Sequence, residues 1–84
     1  MTMQIAVDIS LYPLDADFVP PIHDVIARLN KHDGLEVVTN PMSTQIRGDY
    51  DVVMAAVKQE IRKTFERVPK AVFAIKILNN PITS

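Results

Sequence analysis

The sequence predicts an α+β fold, with a four-stranded antiparallel sheet and two helices on one of its faces. Two segments, 22–29 and 53–65, repeat apolar residues at the spacing of a helix. Shorter alternating or apolar segments precede, separate and follow them, with prolines and glycines at the junctions. The resulting order β-α-β-β-α-β is that of the ferredoxin-like sandwich, whose usual strand order is 4-1-3-2.

The first strand and the first helix have clear borders. Apolar and polar residues alternate over 3–11, as in a half-buried strand, and Pro13 ends it. We expect Asp17 to cap the helix, because its prolines are tolerated in a first turn. The apolar stripe then runs from Ile22 to Leu29, and Gly34 is expected to stop the helix.

A hairpin and the second helix follow. Strands are predicted over 35–39 and 42–47. The Asn40-Pro41 pair suits a two-residue turn poorly, because a residue before proline avoids the α region, so we expect a bulge or a longer loop. Gly48 is expected to leave the third strand with positive φ, and Asp49 to cap the next helix.

The second helix is predicted from Asp49 to about Arg67, with Asp51 in its first turn. Its expected apolar stripe consists of Val53, Met54, Val57, Ile61 and Phe65. After Pro69, a last strand is predicted over 70–78, and 79–84 are expected to form a tail.

Composition places the whole chain, 1–84, in one small domain of ordinary ordered type, with 48% hydrophobic and 23% charged residues. The net charge of −1 gives no basic surface for nucleic acid or for an anionic membrane. The absence of cysteine excludes disulfides and thiolate chemistry. Because no secretion signal and no apolar run of about 20 residues is present, we expect a cytoplasmic protein.

The face of the sheet without helices should be partly apolar. It would carry Ala6, Val72 and Ala74 beside Asp8, Ser10 and Lys76. Such a face is too apolar to be left wholly in water. We therefore expect a homo-oligomer, a dimer or tetramer in which sheet faces or edges meet.

Polar side chains gather on two strands that this fold makes neighbours. They are Asp8, Ser10 and Tyr12 on the first strand and Ser43, Thr44 and Gln45 on or beside the third. A carboxylate, hydroxyls, an amide and an aromatic ring suit a flat, nitrogen-rich heterocycle with an exocyclic amine. Solvent-facing strand residues would have the same composition, and by residue type alone this second explanation is the commoner one.

Other polar groups point to no chemistry. His23 and His32 lie nine residues apart on one predicted helix, so they face nearly opposite sides and cannot share a metal ion within one chain. Asp15 and Asp17 are explained by loop and capping roles. No nucleophile, base and orienting group form a set, and no glycine-rich phosphate loop is present. We therefore predict that the protein is not an enzyme.

Four runs resemble a known family: Ile9–Leu14, Phe18–Ile22, Asn40–Met54 and Lys70–Phe73. The Ser-Leu-Tyr-Pro and Met-Ser-Thr-Gln sequences within them are the most specific. They are similar to the YkoF-like thiamine-binding protein family. The resemblance implies a ferredoxin-like fold, assembly through the sheets, no catalysis, and no cofactor or metal besides thiamine or its hydroxymethylpyrimidine half as the bound ligand.

By position, the resemblance gives the ligand-binding role to Ser10, Tyr12, Ser43, Thr44 and Gln45. We add Asp8, Phe18 and Met42 to the expected ligand-binding set. In this expectation Asp8 accepts a hydrogen bond from the aminopyrimidine, and Tyr12 or Phe18 walls the ring.

Arg47 departs from the family pattern, in which many relatives carry an acidic or apolar residue before the glycine. If Arg47 faces the site, it disfavours the cationic thiazolium of thiamine and favours the neutral pyrimidine; if it faces solvent, it has no such effect. The alternative function is an interaction module that assembles through its sheet and binds no small molecule.

Overall fold

The computed structural model describes residues 3–79 and 81. Its elements are β1 (Gln4–Pro13), α1 (Val19–Leu29), β2 (Glu36–Thr39), β3 (Thr44–Asp49), α2 (Tyr50–Arg67) and β4 (Ala71–Asn79). The four strands form one antiparallel sheet in the order β2-β3-β1-β4. This confirms the predicted α+β ferredoxin-like fold and its strand order.

The core lies between the sheet and the two helices. Alternate residues of β1 are buried on that side, among them Ile5 and Val7, and they pack with Leu29 of α1 and Val53 of α2. The register is fixed, since Val7 stands opposite Ile46 of β3. Burial of one such aliphatic side chain stabilises the fold by about 1.5–3 kcal/mol, and a shift by one residue would turn every one of them to solvent.

The prediction that Asp17 caps α1 is wrong. Phe18 occupies the N-cap position and makes no side-chain cap. A capping side chain accepts from the N–H groups of the second or third helical residue, and Pro20 and Pro21 occupy these positions without an N–H. Asp17 instead donates its backbone N–H to Asp15 Oδ1 at 3.1 Å, which is the loop role expected for this pair.

The end of α1 also differs from the prediction. The helix stops at Leu29, and Asn30 serves as the C-cap while its Nδ2 donates to the carbonyl of Ile26 at 2.8 Å. Gly34 has a positive φ of 81°, in the turn that leads into β2. This glycine therefore shapes the entry to β2, and does not terminate α1.

The hairpin between β2 and β3 has the longer loop that the Asn-Pro pair predicts. Thr39 pairs with Thr44, which leaves the four residues 40–43 outside the ladder. The Asn40 side chain closes this loop, because its Oδ1 accepts from the N–H groups of Met42 at 2.8 Å and Ser43 at 3.0 Å. As a result β3 begins at Thr44, two residues later than predicted, and Met42 and Ser43 belong to the loop.

Gly48 lies within β3 and does not have positive φ, contrary to the prediction. A Cβ at this position would come within 2.9 Å of the Gly34 carbonyl oxygen and 3.2 Å of Val53 Cγ2. The glycine is thus required by close packing of the chain. Asp49 caps α2 as predicted, with its Oδ2 accepting from the Val52 N–H at 3.3 Å.

The predicted stripe of α2 is right except at Phe65, since Met54 and Ile61 pack against the core. Val53 and Val57 are buried, whereas Phe65 is 52% exposed, with its ring 5.6 Å from that of Phe73. Glu60 and Thr64 are buried instead. Their side chains meet α1, so the later turns of α2 bury a polar face.

The last strand runs one residue further than expected, since Asn79 belongs to β4. The rest of the predicted tail, apart from Pro81, lies outside the described residues.

Candidate functional site

A cavity of about 530 Å³ lies between α1 and the sheet, beside the loop 40–43. The apolar stripe of α1 forms one wall, with Ile22, Val25, Ile26 and Leu29. Ile9, Leu11 and Phe73 supply the sheet side. None of the described residues that line this cavity carries a charge.

A pair of threonine hydroxyls adds polarity to the wall of this cavity. Thr44 is 5% exposed, and its Oγ1 lies 3.1 Å from that of Thr39 across the β2–β3 ladder. Either hydroxyl can donate in this pair, so one hydroxyl hydrogen and several lone pairs are left for another partner. The hairpin thus supplies both a donor and acceptors to an otherwise apolar space.

Exposed hydrophobic side chains surround the cavity. Phe18 is 52% exposed and Met42 is 85% exposed, and both line the cavity together with Tyr12 and Leu14. Exposed apolar groups at a concave site are typical of ligand-binding surfaces. The cavity therefore has an apolar wall continued by a partly exposed apolar rim.

A second polar group lies on the opposite side of the sheet. Ser43 Oγ donates to Asp8 Oδ2 at 3.0 Å, and Gln45 Nε2 lies 3.5 Å from Ser43 Oγ. Asp8 stands opposite Gln45 on β3 and Lys76 on β4. Of this group only Ser43 lines the cavity, so it connects the two sides.

The predicted ligand-binding residues do not all meet at the cavity. It is lined by Ser10, Tyr12, Phe18, Met42, Ser43 and Thr44, but not by Asp8 or Gln45. Strand alternation separates Thr44, which shares the buried side with Ile46, from Gln45. Ser10 and Tyr12 share the open side of β1 with Asp8, yet both border the cavity. Most of the expected set therefore meets at one cavity, while Asp8 and Gln45 lie outside it.

Sequence reasoning missed several residues of the cavity, notably Thr39, Asn40 and the stripe of α1. The Asn-Pro turn and the apolar spacing were visible signals. However, the same aliphatic pattern describes a core residue and a cavity wall, because both are apolar positions of one helix face.

Arg47 belongs to the open side of the sheet. It stands opposite Ala6 of β1 and Glu36 of β2 and does not line the cavity. Its charge therefore does not enter the cavity, which removes the expected penalty against a cationic ligand part.

Residues 3–79 and 81 contain neither a cluster of metal-ligating side chains nor a membrane-spanning helix. Within this range, no group of three or more histidine, aspartate or glutamate side chains could hold a metal ion. Neither α1 nor α2 is long and apolar enough to cross a membrane.

The sequence profile of a family described as thiamine-binding protein matches residues 7–81. This chain belongs to the thiamine-binding protein family. The resemblance predicted from the two short motifs is thereby confirmed. The membership indicates a binding protein for a small molecule.

Solved structures share the fold of this family member. A protein of Streptococcus pneumoniae superimposes with a TM-score of 0.87 at 23% identity, covering 95% of this chain and 90% of its own. A hypothetical protein of Methanocaldococcus jannascii gives 0.81 at 26% identity, covering 96% and 84%. A candidate thiamine biosynthesis/salvage protein of Thermotoga maritima gives 0.69 at 23% identity, covering 89% and 82%. Among curated proteins there is no significant match.

Proposed function

We propose that this family member binds thiamine, or its hydroxymethylpyrimidine half, in the cavity between α1 and the sheet and catalyses no reaction. The observation that carries the proposal is an uncharged cavity of about 530 Å³ with a hydroxyl pair in its wall. Small-ligand sites are typically of this size and combine apolar walls with a few polar groups. The family membership and the described role of the Thermotoga maritima protein support the same ligand class.

The cavity favours the pyrimidine as the buried part of the ligand. A flat, neutral aminopyrimidine can be removed from water at low cost when its nitrogens find partners, and Thr44, Thr39 and Ser43 offer them. The thiazolium carries a positive charge, which is expensive to bury without a paired anion. We therefore place the pyrimidine inside, the thiazolium at the rim, and Phe18 against the ring.

Asp8 acts in this proposal through Ser43. Because Ser43 Oγ donates its hydrogen to Asp8 at 3.0 Å, its lone pairs face away from that bond. One lone pair accepts from Gln45 Nε2 at 3.5 Å, and the other accepts from the exocyclic amine of the pyrimidine. Asp8 thus orients the hydroxyl without touching the ligand, and the bound vitamin is buffered, delivered or sensed in the cytoplasm.

Calorimetry with hydroxymethylpyrimidine and with thiamine tests the proposal. The parent protein should release or absorb heat with at least one of them. Ile22→Trp replaces an aliphatic side chain of the cavity wall with a bulky indole ring and should weaken binding by roughly tenfold or more. Arg62→Ala, at a side chain that is 83% exposed, is the control and should bind as the parent does.

Two results would contradict the proposal. A parent that binds neither ligand would favour the alternative, an interaction module that works through its sheet alone. A parent that binds, with Ile22→Trp binding equally well, would move the site out of this cavity.

An assembled state is part of the proposed function, because one observation favours it. On the open side, Val72 is 50% exposed and Ala74 is exposed on β4, a nine-residue strand at the edge of the sheet. A long apolar edge strand is a template for pairing with another chain. We propose a homo-oligomer, a dimer or tetramer, that covers the open face or this edge.

A further inference from the structure

A cluster of charged side chains joins α1 to α2 outside the cavity. Its centre is Arg28, whose Nε donates to Glu60 Oε1 at 2.5 Å and whose Nη2 donates to Thr64 Oγ1 at 2.7 Å. Arg28 also forms an ion pair with Asp24. The Glu60 side chain is only 3% exposed. A buried carboxylate of this kind is stable only with its partners in place.

The second oxygen of this carboxylate has a different partner. His32 Nε2 lies 2.6 Å from Glu60 Oε2, and the His32 side chain is 22% exposed. Arg28 stays charged at every accessible pH. Histidine is the side chain whose charge changes between about pH 5 and 8. The contact of Glu60 with Arg28 therefore does not change with pH, whereas its contact with His32 depends on whether the imidazole carries a proton.

The surroundings of His32 contain further charges. From α2, Lys63 lies with Glu60 around the same hollow, together with the neutral Gln59; from its own side of the chain, Arg28 and Lys31 do so. The cations repel a charged imidazole, whereas the Glu60 carboxylate attracts it at contact distance. The Coulomb energy between two charges falls with distance, and the Glu60 carboxylate is the charge in direct contact with the imidazole.

The cluster and the cavity are connected by the last turn of α1. Val25, Ile26 and Leu29 line the cavity, while Arg28 between them faces Glu60. The backbone N–H of His32 donates to the Leu29 carbonyl at 3.2 Å. A backbone hydrogen bond thus links His32 directly to Leu29, a residue of the cavity wall.

We propose that proton binding at His32 orders the α1 wall of the cavity. With a charged imidazole, the contact to Glu60 is a charge-assisted hydrogen bond that holds the end of α1 against α2. With a neutral imidazole, only a weaker neutral hydrogen bond remains. The wall is firmer, and a ligand in the cavity is held more tightly, at weakly acidic than at weakly alkaline pH.

The charge state of Glu60 supports this direction. Burial raises the pKa of its carboxyl, but the hydrogen bonds from His32 and Arg28 and the charges of Lys63 and Arg28 outweigh burial, so the pKa lies below its ordinary value. Stability from a lowered carboxyl pKa is lost only in acid, as the pH falls through that pKa. Glu60 therefore stays charged at weakly acidic pH and can accept a charge-assisted hydrogen bond there.

The test uses His32→Gln, which can still donate to Glu60 but does not titrate. Amide exchange protection of residues 25–32 is measured without ligand at about pH 6 and pH 8, corrected for intrinsic exchange. The parent should lose about threefold more protection at the higher pH than His32→Gln does. His23→Gln, at an exposed histidine within α1, is the matched control and should behave as the parent.

Affinity for hydroxymethylpyrimidine is the second measurement, and this arm rests on the proposed function. The parent should lose about threefold in affinity over the same pH range relative to His32→Gln. The titration of the ligand itself is common to both proteins and cancels in this ratio. Equal pH dependence of exchange in the parent and His32→Gln would overturn the inference.

The two proposals fail in different ways. A parent that binds no ligand contradicts the proposed function, while the exchange measurement still decides the role of His32. A parent that binds, with equal affinity ratios in both proteins, overturns the coupling between His32 and the cavity.

Discussion

The two sides of the sheet differ although the same strands build both. On the helix side, Ile46 is fully buried, and the cavity lining carries no charge. One residue further along β3, Arg47 lies on the open side opposite Glu36. Neighbours in sequence therefore have unrelated energetic roles, because strand side chains alternate. A motif such as Ser43-Thr44-Gln45 has to be divided between the two sides before a function is assigned to it.

The largest expected difference concerns stability. Ile46→Ala removes a fully buried side chain and leaves a cavity, so the free energy of unfolding should fall by about 2–5 kcal/mol. Arg47→Ala, the adjacent substitution on the open side, should change it by about 0.5 kcal/mol or less. Urea denaturation of the two variants measures both values. Similar losses at the two positions would contradict the assignment of the sides.

Assembly tests the open side directly. Light scattering at micromolar concentration should give a mass at least twice that of one chain. Val72→Glu places a charge on the half-exposed apolar side of β4 and should reduce the mass to that of a single chain. Lys58→Glu, a comparable charge on α2, should leave the mass unchanged. A monomeric parent would show that the open face needs no partner.

The smallest expected difference is in ligand binding, between the adjacent residues Thr44 and Gln45. Thr44→Val removes the buried hydroxyl of the cavity at nearly constant shape, and should weaken hydroxymethylpyrimidine binding by about 0.5–1.5 kcal/mol, a few-fold to about tenfold. Gln45→Leu changes the open side and should leave the affinity unchanged. Calorimetry on the two variants measures both affinities. A loss of affinity in Gln45→Leu alone would place the ligand on the open face.

The fold was predictable because the spacing of apolar residues and the positions of prolines and glycines indicate the same elements over most of the chain. The alternation in β1 and the helical spacing of α1 determine which side is buried, and the element order leaves few topologies. The first cap was not predictable from residue type alone. Asp17 is a good capping residue, but the helix begins one residue later, with Phe18 as its N-cap and prolines at its second and third positions.

The site was predictable in its residues but less so in its geometry. The polar side chains of Ser43, Thr44 and Gln45 were grouped as one patch, although strand alternation puts Thr44 and Gln45 on opposite sides. Resolving that conflict requires the register, which places Asp8 opposite Gln45. A cavity depends on how far α1 stands from the sheet, and no residue pattern encodes that distance.

The buried cluster between the helices had a signal that was missed. Val53, Val57, Glu60 and Thr64 follow the spacing i, i+4, i+7, i+11, which continues one stripe of α2. Arg28 and His32 have the matching i, i+4 spacing, although α1 ends at Leu29 and His32 lies in the turn after it. Charged residues are usually solvated, so a complementary pair of such stripes was needed to predict burial.

The position of β1 in the sheet has a consequence for synthesis. β1 is synthesised before the other three strands, but it pairs on one side with β3 and on the other with β4, which is made last of the four. Ile9, for example, can pair with Ile75 only after β4 has been synthesised. Such long-range closure is slow, because chain entropy is lost before the contacts are gained. Until β4 is made, one edge of β1, an inner strand of the finished sheet, therefore lacks its partner.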